Sequence, residues 1–191
     1  MSQTTVNILT LQVMSVTDSN VLETADGLKY FAPEREAAWI GLLQAHAELT
    51  RGLDAALSAR HGLSFSAYEV LSRIAHADGG HLRMSILAER SQLSLSRVSR
   101  VIDALEQRGL VARRSCATDS RVVHATITDA GRAMVSEAQD TFFEVVEERF
   151  LGRLTCDEVG QLGSLLARLV QAPLGSACPG AADAAEATAG A

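Results

Sequence analysis

Five arginines, Arg97, Arg100, Arg113, Arg114 and Arg121, lie close together in a chain whose formal net charge is −6. A guanidinium group is planar and permanently charged, and its paired N–H donors match a phosphate or the acceptor edge of guanine. Gathered on one short stretch, such groups repel one another unless an external anion meets them. Ser94, Ser96 and Ser99 are interleaved with the first two arginines and add small hydroxyl partners without crowding an approaching surface. Recognition of a polyanion is the chemistry this set offers, and double-stranded DNA is the polyanion that suits it.

Other chemistries find less support. No Ser-His-Asp or Cys-His spacing assembles a nucleophile, a base and an orienting group, so no enzyme is expected. Cys116, Cys156 and Cys178 are far apart and lack CxxC spacing, which implies neither a disulfide framework nor a zinc ribbon. His76, Asp78 and His81 share one loop, but the Gly79-Gly80 turn accounts for that segment, and neither a metal nor a cofactor is expected. Two alternatives to a DNA-binding regulator stay open. One is a thiol-based switch at Cys116, beside Arg114, and the other is a module that grips an acidic protein with the same arginines.

The charge is segregated along the chain. Residues 81–132 hold nine arginines against five acidic residues, a net of +4, and the remainder carries −10. An anion-binding module on an acidic scaffold fits that division. At 191 residues and 47% hydrophobic content the chain can bury a substantial core. It has no apolar run of about 18 residues and no basic region ahead of an apolar N-terminal stretch, so a cytoplasmic protein with no membrane segment is expected. Met1 and Met14 both stand as translation starts.

The elements that must position the arginines follow from periodicity. Residues 1–33 show no sustained period and are expected to form a flexible arm. Trp39, Leu42, Leu43, His46, Leu49, Leu53 and Leu57 recur at helical steps up to Gly62. A second helix begins with Ser66 and Glu69 spaced as a capping box and closes at Gly79-Gly80. A short extended piece follows at 81–84, then a brief helix capped by Ser85, a turn at Gln92-Leu93, and a helix from Ser94 to Gln107 ended by Gly109. Leu110 to Ser115 and Arg121 to Thr128 read as the strands of a hairpin. A long helix opens at Thr128, a last one opens with the capping box Thr155-x-x-Glu158, and the alanine-rich stretch 172–191 reads as a disordered tail.

This order predicts a mainly α chain with a small β-wing: a winged helix-turn-helix over about 64–128, flanked by helices at about 34–61 and 129–171. On the helix from Ser94, the stripe Val98, Val101, Ile102 and Leu105 would be buried. Arg97 and Arg100 would read base edges or phosphates, helped by Ser94, Ser96 and Ser99. In the hairpin, Arg121 would probe the minor groove, Asp119 would brace a nearby arginine, and one of Arg113 and Arg114 would meet phosphate, because neighbours on a strand face opposite ways.

"VSRVIDALEQRGLV" and "DSR...ITDAG" resemble the recognition-helix and wing motifs of the MarR family of bacterial transcription regulators, with Ile127 in place of the usual leucine. The resemblance runs over about Glu34 to Gln171. It implies a homodimer knitted by the first and last helices, pseudo-palindromic operators, a repressor's role and release by a small aromatic or phenolic effector. Trp39, His46, Tyr68 and Arg73 would line the effector's pocket. A dimer is also expected from apolar surface at Trp39, Phe142, Phe143, Phe150 and Leu165, more than one winged domain can cover.

Overall fold

The computed structural model describes residues 21–24, 26–115 and 123–170. The chain divides after Glu48 into two units. In the first, β1 (Val21–Glu23) and β2 (Lys29–Phe31) pair antiparallel, with Val21 opposite Phe31. Thr24 closes the turn by accepting from the Leu28 amide at 3.0 Å, and Gly27 supplies a left-handed residue at φ 84°. Sequence reading expects no regular element here, because two three-residue strands are too short to show a period.

Helix α1 (Pro33–His61) carries Pro33 at its first position, where a missing N–H costs nothing, and Glu34 and Glu36 in its first turn, where they complement the helix dipole. Within the first unit Trp39, Ile40, Leu42 and Leu43 of α1 are exposed, Trp39 by 51%. From Leu49 onward the helix belongs to the second unit and buries Leu53 and Leu57.

The second unit continues with α2 (Phe65–Ala75), a 3-10 turn at Asp78–Gly80, β3 (His81–Arg83), α3 (Met84–Ser91), α4 (Leu95–Gln107), β4 (Val111–Ser115), β5 (Val123–Ile127), α5 (Asp129–Arg149), a 3-10 turn at Leu151–Arg153 and α6 (Cys156–Leu169). Strands order β3-β5-β4, all antiparallel. Leu57, Val70, Leu71, Ile74, Leu87, Val98, Ile102 and Ala125 are fully buried, so α1 to α4 and the sheet share one core.

Two caps differ from the sequence expectation. Ser64, not Ser66, caps α2, accepting from the Ala67 amide at 3.1 Å, while Asp54 accepts from the Phe65 amide at 2.9 Å. With two serines two residues apart, pattern alone does not choose, and Asp54 supports the earlier start. Nor does Ser85 cap α3, because Arg83 is both the last residue of β3 and the cap position, leaving no room for a later start. Ser94, Thr128 and the Thr155–Glu158 capping box close as the sequence predicts, whereas α2 ends at Ala75 with His76 as its cap, short of the expected Gly79-Gly80. Hydrogen bonds from the Thr155 backbone and hydroxyl hold the Glu158 carboxyl below the usual range.

Gly131, in the first turn of α5, is buried against the start of β4. A Cβ there would overlap the Leu110 carbonyl oxygen and lie 2.8 Å from Ile127 Cγ1. Because the obstacle is backbone, it cannot swing away. Gly131→Ala should therefore destabilise the fold by ~3 kcal/mol, read as a lower urea midpoint at unchanged slope.

Candidate nucleic-acid interface

Helix α4 turns Val98, Ile102 and Leu105 into the core and leaves Ser94, Ser96, Arg97 and Arg100 exposed. Ser94 accepts from the Arg97 amide at 3.3 Å and its hydroxyl lies 3.1 Å from that of Ser96. The approach from α3 is tight, with Gln92 left-handed at φ 53° and the Leu93 amide bonded to Ala88. Arg97 is lightly held, donating to Ser66 Oγ at 3.3 Å. Among the described residues the Arg100 guanidinium has no ion pair or hydrogen bond. Ser99 is half-buried, so of the three serines it is the least presented to a partner.

The two adjacent wing arginines part company. Arg113 does not point outward as a phosphate contact. It faces α4, donating from Nη1 to Asp103 at 2.5 Å and Glu106 at 2.9 Å and from Nη2 to the Ser99 carbonyl at 3.0 Å. Its backbone N–H donates to the other Glu106 oxygen at 2.9 Å. The guanidinium is thus a brace between the wing and α4. The cause is register: Val111 is buried, and Arg113, two residues on, shares its face. Arg114 takes the opposite face and is exposed. Cys116, Asp119 and Arg121 lie outside the described residues. A hollow of about 420 Å³ separates the elements, lined by Arg83, Met84, Ser85, Leu95, Ser99, Arg113 and Val123.

Two further contacts fix α4. At its C-terminal end Arg108 donates to the carbonyls of Gly62 at 2.7 Å and His61 at 3.1 Å, capping the end of α1. The Thr128 hydroxyl donates to the Gly109 carbonyl at 2.7 Å and accepts from the Gly131 amide at 3.0 Å, joining the exit of α4 to the start of α5.

The four expected effector-site residues have diverse settings. Trp39 and His46 are exposed on α1. Tyr68 is buried and stacks on Phe142 with ring centroids 5.3 Å apart, and Arg73 pairs with Glu69 one helical turn away, leaving its Nε buried without a partner. None of the four lines the hollow beside the wing or a second one along α6. His76 bonds the Ser72 carbonyl at 2.8 Å while His81 meets His124, so His76, Asp78 and His81 are not gathered into one cluster. Of the expected interface residues, Phe143 and Leu165 are exposed by 56% and 55%, whereas Phe142 packs on the core and Phe150 is half-buried. Sequence reading missed Asp103 and Glu106 as anchors for Arg113; their i, i+3 spacing on the helix facing β4 is the available signal.

A short two-helix turn whose second helix exposes Arg97 and Arg100, followed by a three-stranded wing, defines a winged helix-turn-helix protein. The family profile described as MarR family matches residues 61–122. Sco5413, a MarR family transcriptional regulator from Streptomyces coelicolor, is 30% identical with a TM-score of 0.63 over 72% of this chain and 94% of its own. AbsC from the same organism is 27% identical with a TM-score of 0.70, covering 74% and 95%. Sco3205, solved in complex with DNA, is 26% identical with a TM-score of 0.70, covering 73% and 91%. The HTH-type transcriptional repressor MdtR of Bacillus subtilis is 34% identical over 93 residues, 49% of this chain and 59% of that relative's length. This chain belongs to the MarR family, a family of transcriptional regulators and not of enzymes. No helix among the described residues is long and apolar enough to cross a membrane.

Removing the brace tests its role. Arg113→Leu leaves Asp103 and Glu106 without their cation and should cost ~2 kcal/mol of stability. Amide exchange should speed up in β4 while the central turns of α4 stay protected. Equal acceleration throughout α4 would assign Arg113 to the general core instead.

Proposed function

We propose that the protein is a sequence-specific DNA-binding repressor acting as a homodimer on pseudo-palindromic operators. The observation that carries this reading is Arg100: an exposed guanidinium with no ion pair or hydrogen bond among the described residues, on a helix whose other face is sealed in the core. Arg97 stands one turn earlier with a single weak partner, Arg114 extends the set into the wing, and Arg121 follows it in sequence. A helix of this kind enters the major groove, where bidentate arginine contacts to guanine discriminate by about 1–3 kcal/mol per base. The DNA-bound state of Sco3205 supports the partner, and the name of MdtR supports the repressor's sense.

The dimer is supported by exposed apolar side chains on α1 and, in the second unit, by Phe143, Leu165 and Leu169, the last exposed by 72%. Two copies related by a twofold axis would set their α4 helices on half-sites about 34 Å apart. Release by a small aromatic or phenolic anion completes the proposal. Arg73 has the best claim to that ligand, because its buried Nε lacks a partner. A cytoplasmic setting follows from the function proposed.

Binding of the full chain to the intergenic DNA upstream of its own gene is the test. Specific binding should weaken steeply with salt, and sedimentation should give a dimer. Arg100→Ala should lose 1–3 kcal/mol on the specific duplex and little on a scrambled one. Arg121→Ala should weaken binding with the fold intact. Equal affinity for specific and scrambled duplexes would overturn the reading.

A further inference from the structure

We propose that Arg83, His124 and Arg114, aligned across the three strands of the wing sheet, grip the phosphodiester backbone of duplex DNA beside the bases addressed by α4. The proposal rests on the DNA-binding reading above and adds a surface to it. Register makes the alignment: Arg83 is directly opposite His124 on β5, and His124 is directly opposite Arg114 on β4. Strands lie about 4.8 Å apart, so the row is about 10 Å long. The next rank, Leu82, Ala125 and Arg113, takes the other face, with Ala125 fully buried and Arg113 turned to α4. The row therefore belongs to the face of the sheet turned away from the core.

Among the described residues its charge is uncompensated: neither Arg83 nor Arg114 forms an ion pair or a guanidinium hydrogen bond, whereas Arg113 in the same sheet takes two carboxylates. Two unpaired guanidinium groups about 10 Å apart on one exposed face repel only weakly, and together they offer an anion two attachment points. His124 completes the row with a ring nitrogen that donates in either protonation state, and His81 packs edge-on against it at 5.6 Å. Arg83 at the end of the row also reaches the hollow lined by Leu95 and Ser99 of α4, which joins the row to the exposed start of that helix. A straight row of donors carrying two guanidinium charges suits an evenly charged backbone, and because it meets no base edge it would position the duplex without choosing its sequence.

The experiment is a salt titration of the full chain on its own upstream duplex and on a scrambled duplex, with wild type, Arg83→Gln, Arg83→Lys and the double variant Arg83→Gln/His124→Gln. Arg83→Gln should weaken both duplexes by the same factor, on the order of tenfold at low salt, and shallow the dependence of log affinity on log salt by about 1. Arg83→Lys should keep the wild-type slope, and the double variant should lose more than the single. If wild type prefers its own duplex while both glutamine variants retain its slope and affinity, the row is not a DNA contact and the function proposed for α4 stands. A change in sequence preference would make Arg83 a base reader and overturn the backbone assignment. Failure of wild type to bind either duplex would overturn both readings, and binding of an acidic peptide in place of DNA would assign the row to a protein partner.

Discussion

With Val111 and Ala125 seating its strands in the core, the wing is locked to α4 by one guanidinium. Arg113 reaches from β4 to three points on α4, the carboxylates of Asp103 and Glu106 and the carbonyl of Ser99, while Glu106 also accepts from the Arg113 backbone. Such charge-assisted bonds are strong because each partner is ionised and the fork is rigid. They are also directional, and that decides their effect here. A wing held only by apolar contact with α4 could slide along the helix; one held by donors in fixed geometry keeps a single register. The angle between α4 and β4 is thereby built into the free protein.

Most of the fold is legible in the sequence because its boundaries are marked by residues with one physical use. Gly109 sits at φ 70°, and Ser94, Thr128 and Thr155 each bond an amide that the first turn of a helix leaves unpaired. Where the marking is ambiguous, tertiary structure decides. Ser64 takes the cap position that Ser66 could equally fill because Asp54, one helix away, secures the neighbouring amide. Arg83 displaces Ser85 from the start of α3 because strand pairing to His124 claims its backbone first. The β1–β2 hairpin has no periodic signature at all, since alternation over three residues is indistinguishable from chance.

The candidate site was legible by composition and only partly by geometry. The exposed arginines of α4 follow directly from the apolar stripe on the opposite side. The division of labour between Arg113 and Arg114 does not, because alternation says that they part but not which one turns inward. Val111 settles the parity: its buried side chain puts Arg113 on the inner face, and the acids of α4 make a charge tolerable there. Arg83 and His124 are separated from the wing arginines in sequence and meet Arg114 only through the pairing of three strands, a relation no linear spacing expresses.

The Thr128 hydroxyl, shared between the Gly109 carbonyl and the Gly131 amide, leaves almost no slack between the last turn of α4 and the first turn of α5. With a Gly131 that admits no side chain against Leu110, the two helices meet as a stiff mechanical joint rather than a swivel. A change in the direction of α5 would therefore have to carry the end of α4 with it, because the joint has no loose link to take up the difference.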